Sequence, residues 1–280
     1  MDRLKLQAFL FRISWLSIVL LMAGCASKPT IEIHEEFGKY FDQCGVTGSF
    51  ALFDWKNSRC ILFNPDQYEQ PIIPASTFKI CNSLIGLETG VIPDENFIIQ
   101  WDSIVHENEN WNKDHDLKTA FKNSTVWYYQ ELARRVGVEK MKYWLETADY
   151  GNSDTTGGIG YFWLTGGLRI SPKQQIEFLE KLHDGNLPFS RRSMEIVKKI
   201  MIAEEKPGWV LRAKTGWGYL DNQHYGWYVG WLETPENVYY FSNCIQVSGE
   251  AGDSFAIARR EIVYKILNDM HLINDQELLN

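Results

Sequence analysis

The chain has 280 residues, 45% of them hydrophobic and 14% aromatic, with a formal net charge of −8. That composition supports a sizeable core and excludes a low-complexity or disordered chain. The acidic balance, with no basic stripe to neutralise phosphates, also argues against nucleic-acid binding, so a small anionic ligand would need a local basic pocket.

The first two dozen residues differ from the rest. Arg3, Lys5 and Arg12 lead into the apolar run "ISWLSIVLLMAG", about a dozen residues, too short for a comfortable membrane span and matching a secretory signal peptide better than a membrane anchor. Residues 1–24 are therefore expected to be a leader and residues 25–280 one mature structural unit. "LMAGC" resembles a bacterial lipoprotein box, which would make Cys25 a lipidated first residue; ordinary cleavage near "GCAS" is the alternative. Without the leader the net charge is about −10.

"GSFALFDWKNSRCILFN" reads as a β-hairpin with Lys56, Asn57 and Ser58 at its tip. A central region, roughly residues 75–200, is dominated by helical patterns. A helix is expected from about Ser76 to Gly86. Another carries Val126, Tyr129, Leu132, Ala133 and Val136 at three-and-four spacing and stops at Gly137. A third has Ser171 as N-cap, Pro172 in the first turn and Gly185 as its stop. "IVHENENWNKDHD" reads as a charged, solvated loop.

From about residue 209 the period changes to two. "WVLRAKTGWG", "HYGWYVGWLE" and "NVYYFSNCIQV" read as strands, followed by the helix "SFAIARREIVYKILNDM". The expected fold is α+β: a central antiparallel sheet built from both chain ends, flanked by helices, with a largely helical insertion and one continuous core. Cys44 and Cys60 could flank the first hairpin and pair, but buried free thiols fit Cys44, Cys60, Cys81 and Cys244 better. None of the six histidines has metal-ligand spacing, and no cofactor motif occurs.

In "PIIPASTFKICNSLIGLETG" Ser76 and Lys79 lie three apart, which puts both on one helical face. A serine needs a base before it attacks, and lysine serves only as a neutral amine. Apolar surroundings would depress its pKa by penalising the ammonium form. Alone, S-x-x-K is a weak signal. "KTGWG" at Lys214–Gly218 is a second one, at the end of a predicted strand where Gly216 permits close backbone approach; its bland reading is a cation on an ordinary hairpin. Ser124 in "STV" could be a plain N-cap, and Trp163 could be plain core.

Together "STFK", "STV", "YGN" (Tyr150–Asn152), "FWLTGGLRIS" and "KTG" occur in the order found in the class D serine β-lactamases, the oxacillinases, and the chain resembles that family over essentially its whole mature length. Val126 stands where class A enzymes have asparagine. The resemblance implies a β-lactamase/transpeptidase-like catalytic domain hydrolysing β-lactams through an acyl-serine intermediate. It implies Ser76 as nucleophile and Lys79 as a CO2-derived carbamate (N6-carboxylysine) acting as general base. Trp163 would bond that carbamate beneath apolar cover from Val126 and Leu164, and Ser124 with Lys214 would relay protons. Lys214, Thr215 and Arg259 would bind the substrate carboxylate, with Arg260 the neighbouring alternative to Arg259, and Gly216 and Trp217 would also contact substrate. Backbone N–H groups of Ser76 and Trp217 would form an oxyanion hole. Tyr150 and Asn152 would shape the site, and substrate range would depend on loops near Trp101 and Trp217. No cofactor other than the carbamate is implied, and the location implied is the bacterial periplasm. A β-lactam-sensing domain that acylates without turnover is the alternative; the single short leader, with no transmembrane bundle, argues against it.

Overall fold

The computed structural model describes residues 28–274. The leader and Cys25, with the lipidation expected there, lie outside the described residues. Seven strands form one sheet in the order β1-β3-β2-β7-β6-β5-β4. They are β1 (Thr30–Ile33), β2 (Thr47–Asp54), β3 (Arg59–Phe63), β4 (Ile202–Lys206), β5 (Trp209–Leu220), β6 (Gln223–Glu233) and β7 (Val238–Ser248). Strand β2 from the first hairpin pairs antiparallel with β7 from the last, so strands from the two ends of the chain meet in the middle of the sheet.

The sheet is mixed rather than wholly antiparallel, because β1 runs parallel to β3, from Thr30 opposite Arg59 to Ile33 opposite Leu62. Neither edge strand was legible. In β1 Ile31 and Ile33 are exposed, and β4 reads "IAEEK". Edge strands half in water carry little alternation, and charged residues there discourage edge-to-edge pairing.

Between β3 and β4 lies the expected helical region. It holds α2 (Lys79–Glu88), α3 (Leu117–Lys122), α4 (Val126–Val136), α5 (Val138–Thr147), α6 (Pro172–Asp184) and α7 (Arg191–Ile200). Helix α6 has the anticipated cap: Ser171 Oγ accepts from the Gln174 N–H, Gln174 reaches back in a capping box, and Gly185 closes the helix at φ 74°. Two further helices, α1 (Gly38–Gln43) and α8 (Asp253–Asp269), complete the described fold.

The core is divided by the sheet instead of being continuous. One cluster joins the sheet to the helical region through residues such as Phe78, Tyr129, Trp163 and Trp227; the other joins it to α1 and α8 through Phe50, Leu211, Tyr228 and Ile262. Strand β6 is buried from Gly226 to Leu232, so both of its faces feed a core. All four described cysteines are free thiols. Cys60, Cys81 and Cys244 are buried, whereas Cys44 is half-buried at the end of α1 and not in the hairpin. Among the described residues no helix is long and apolar enough to cross a membrane.

Candidate active site

Ser76 lies in a tight 3-10 turn, Ala75–Phe78, that runs directly into α2. The helix expected here thus begins as a different, narrower turn. Ala75, just before Ser76, has φ 48°, a left-handed conformation that costs about 1–3 kcal/mol in a non-glycine residue. The turn is held by the Ala75 N–H, which donates to the Trp163 carbonyl at 3.0 Å, and by the Phe78 ring packed 5.2 Å from that of Trp163.

Lys79 Nζ stands 2.7 Å from Ser76 Oγ. Lys79 is 0% exposed and Ser76 8%. Burial alone pushes the Lys79 amine down to about 7, because removing water penalises the ammonium form. The Tyr129 ring lies 5.2 Å from Nζ, and the Tyr129 hydroxyl bonds Ser83 Oγ at 2.9 Å. Tyr129 and Ser83 had no functional signal in the sequence, since a buried aromatic at helical spacing reads as core. Trp163 is fully buried and its Nε1–H has no hydrogen-bond partner. A buried donor left unpaired costs about 1–3 kcal/mol. Val126, at the start of α4, and Leu164, beside Trp163, are half-buried.

Ser124 is not an N-cap. Thr125 occupies that position in α4, and Ser124 itself is left-handed at φ 55°. This conformation presents Ser124 Oγ to Lys214 Nζ, 3.0 Å away. Lys214 is 4% exposed, also approaches the Thr215 carbonyl at 3.0 Å and lies over the Phe121 ring. Its pKa is held well below the ordinary lysine value by burial first, then by the charges of Lys79 and Arg259. The charged loop before α3 is less detached than its composition implies. Trp111 Nε1 donates to the Asn123 carbonyl at 3.0 Å, and Trp127 Nε1 donates to the Trp111 carbonyl at 2.8 Å, so this loop braces the Ser124 turn.

Strand β5 packs directly on the Ser76 turn. A Cβ on Gly216 would stand 3.1 Å from both the Pro74 carbonyl and Thr77 Cγ2, so a side chain there would crowd the turn unless one of them gave by a few tenths of an ångström. Arg259 crosses from α8 behind β5. Its Nη1 donates to the Gly216 carbonyl at 2.8 Å, its guanidinium lies 5.5 Å from the Trp217 ring centre, and burial followed by the neighbouring Arg260 charge lowers its pKa to about 10. A Cβ on Gly226 would clash with Arg259 Cγ at 2.8 Å, which explains the glycine opposite Trp217. Arg260 is exposed and does not make these contacts. The structure therefore brings Ser76, Lys79, Ser124, Lys214, Gly216, Trp217 and Arg259 around one turn. Tyr150 and Asn152 stand back from it: Tyr150 packs on Phe78, and Asn152 bonds the Gly167 carbonyl and the Arg169 N–H. Trp101 lies on the loop after Ile99, its indole donating to the Ile104 carbonyl.

The model of the penicillin binding protein transpeptidase domain matches residues 48–268. Beta-lactamase OXA-48 of Klebsiella pneumoniae is 39% identical over 235 residues, spanning 82% of this chain and 89% of that one. The crystal structure of the class D β-lactamase YbXI from Nostoc superposes with a TM-score of 0.81 at 42% identity, covering 86% of this chain and all of that one. The chain belongs to the class D β-lactamases. It is a serine β-lactamase that hydrolyses β-lactams. Regulatory protein BlaR1 of Bacillus licheniformis is also 34% identical over 236 residues, which span 84% of this chain and 39% of that one.

This class D enzyme carries one feature that sequence reasoning passed over. His224 Nδ1 accepts from the Trp217 indole at 3.0 Å, while Phe255 packs 5.3 Å from the same ring. Trp217 is thus fixed from three sides. Replacing His224 by phenylalanine, which keeps a ring but no acceptor, should raise KM for a penicillin about three- to tenfold with a smaller change in kcat. Replacing it by asparagine should largely preserve KM; equal KM values for the two variants would show that the acceptor is irrelevant.

Proposed function

We propose that Ser76 opens the lactam ring and that Lys79 is its general base. The observation that carries this reading is the 2.7 Å contact between Ser76 Oγ and a fully buried Lys79 amine depressed to about 7. At neutral pH a large share of such amines carries a free lone pair. The Ser76 proton passes to the Lys79 side chain as Oγ attacks the lactam carbonyl.

The developing oxyanion is received by the backbone N–H groups of Ser76 and Trp217; the close seating of β5 on the Ser76 turn supports this pairing. Ser124 Oγ delivers a proton to the departing lactam nitrogen and is resupplied by Lys214, 3.0 Å away, which in turn recovers the proton held by its neighbour Lys79, so that Lys79 is again free to act as a base. The ring carboxylate binds at Lys214, Thr215 and Gly216, with Arg259 behind the strand adding charge. Water then attacks the ester carbonyl while the Lys79 side chain accepts its proton, and the acyl–Oγ bond breaks as that proton returns to Ser76 Oγ. The substrates this serves are penicillins, including oxacillin-type compounds.

The unpaired Trp163 indole, the neutral amine and the dry setting suit a CO2-derived carbamate on Lys79. Held by Trp163 and covered by Val126 and Leu164, it would supply an anionic oxygen base for both half-reactions. Replacing Trp163 by phenylalanine should slow both half-reactions, with deacylation slowed more, by about 100-fold. Mass spectrometry should then show accumulated acyl-enzyme after mixing with penicillin, and bicarbonate should restore part of the rate. Undiminished turnover in bicarbonate-free buffer would remove Trp163 from the base. A wild-type enzyme that stayed acylated after one equivalent of penicillin would favour a receptor role like that of the BlaR penicillin-receptor domain.

We further propose that residues 1–24 direct export to the periplasm, that residues 25–280 form one catalytic unit, and that Cys25 is the point of lipid attachment if the leader is processed as a lipoprotein signal.

A further inference from the structure

Arg260 occupies a different environment from Arg259. It lines a cleft of about 510 Å³ together with Lys118, Lys122, Lys199 and Lys214. No acidic residue lines this cleft, in a chain whose net charge is −8. Thr215 lines it too, so the cleft opens where β5 is uncovered. The pairing of β4 with β5 ends at Ile202 opposite Arg212, and the Ala213 N–H is taken by the Met201 carbonyl.

Three of these cations are locally neutralised or bonded, Lys214 through Ser124 Oγ and the Thr215 carbonyl as described above. Lys199 pairs with Glu95 at 3.1 Å, and Lys118 donates to Asn96 at 2.7 Å and pairs with Asp116 at 3.7 Å. Lys122 and Arg260 meet no carboxylate among the described residues. The placement of Lys122 in the last turn of α3 has a helix-dipole rationale. Arg260 has none, and its charge acts against Arg259. Grouping these charges around a cavity large enough for a small ligand is unfavourable until an anion enters.

We propose that this cleft is a second anion subsite, continuous with the ring-carboxylate subsite at Lys214 and Thr215. Its ligand is an anionic substituent carried next to the ring carboxylate of a β-lactam, as a carboxylate or sulfonate at the 3-position of a cephalosporin would be. Lys122 and Arg260 select for that second charge. The inference rests on the ring-carboxylate role given above to Lys214, Thr215 and Arg259.

The test uses pairs of cephalosporins with the same 7-acyl group and 3-substituents of similar size, one anionic and one neutral. The measured quantity is the ratio of their kcat/KM values, which cancels general attraction of the shared ring carboxylate. In the double variant Lys122→Ala, Arg260→Ala the anionic-to-neutral ratio should fall about three- to tenfold, with the neutral compound little affected. The charge-reversed variant Lys122→Glu, Arg260→Glu should fall further, and 0.5 M salt should shrink the wild-type ratio. An unchanged ratio in both variants overturns the proposal, as does an equal loss for both compounds. The underlying reading fails separately: if Thr215→Ala and Arg259→Ala leave kcat/KM of both compounds intact, the ring carboxylate binds elsewhere.

Discussion

Replacing Lys79 by methionine should lower kcat for a penicillin by about 1,000-fold or more. Methionine has nearly the length of lysine and keeps the pocket filled, so the loss reports the missing base and not a cavity. Without the amine 2.7 Å away, Ser76 Oγ has no hydrogen-bond partner among the described residues to take its proton. Acylation slows, and deacylation slows further because its water has no base either. A burst experiment with mass spectrometry should therefore find a slowly formed, long-lived acyl adduct on the variant. Turnover within tenfold of wild type would transfer the base role to another group, with Lys214, a second buried amine of depressed pKa, the first alternative.

The same substitution should make the protein more stable. Burial depresses the Lys79 amine from 10.5 to about 7, so between those values the unfolded chain holds a proton that the folded chain gives up. The folded state is disadvantaged progressively as pH falls from 10.5 towards 7, and the disadvantage is constant below 7. At pH 8 in CO2-free buffer the effect is about 3 kcal/mol. Lys79→Met removes it, so denaturant unfolding at pH 8 should show a gain of about 2–4 kcal/mol. The gap between variant and wild type should narrow as pH is raised above 8. A variant less stable than wild type at pH 8 would mean that the buried amine is better solvated than its surroundings indicate. An enzyme that keeps this lysine against its own stability fits the trade-off seen where active sites hold strained or desolvated groups.

The sheet's central strands were legible because they are long runs of aromatic and β-branched residues bounded by turns, with clear alternation in β5, and α6 was legible because its cap and stop are local chemistry. The pairing of Ser76 with Lys79 followed from helical spacing alone, although the turn is 3-10 at Ser76 and α-helical only from Lys79. What local sequence could not carry is tertiary. The left-handed backbone that aims Ser124 at Lys214 is imposed by packing, and nothing in "STV" distinguishes it from a cap. Arg259 and Arg260 are adjacent in sequence but about 100° apart on α8, and only the fold shows which one passes behind β5. The His224 bond to Trp217 joins residues seven apart across a hairpin, and the unpaired Trp163 indole is defined by what surrounds it.

The central claim is that Lys79 is an uncharged buried amine able to take up CO2, and 13C NMR with labelled bicarbonate tests it most directly. The wild-type enzyme should show one protein-bound carbamate signal that grows as pH rises through about 7 and is missing in Lys79→Met. The absence of a bound signal up to pH 9, or a signal that survives in Lys79→Met, would contradict it.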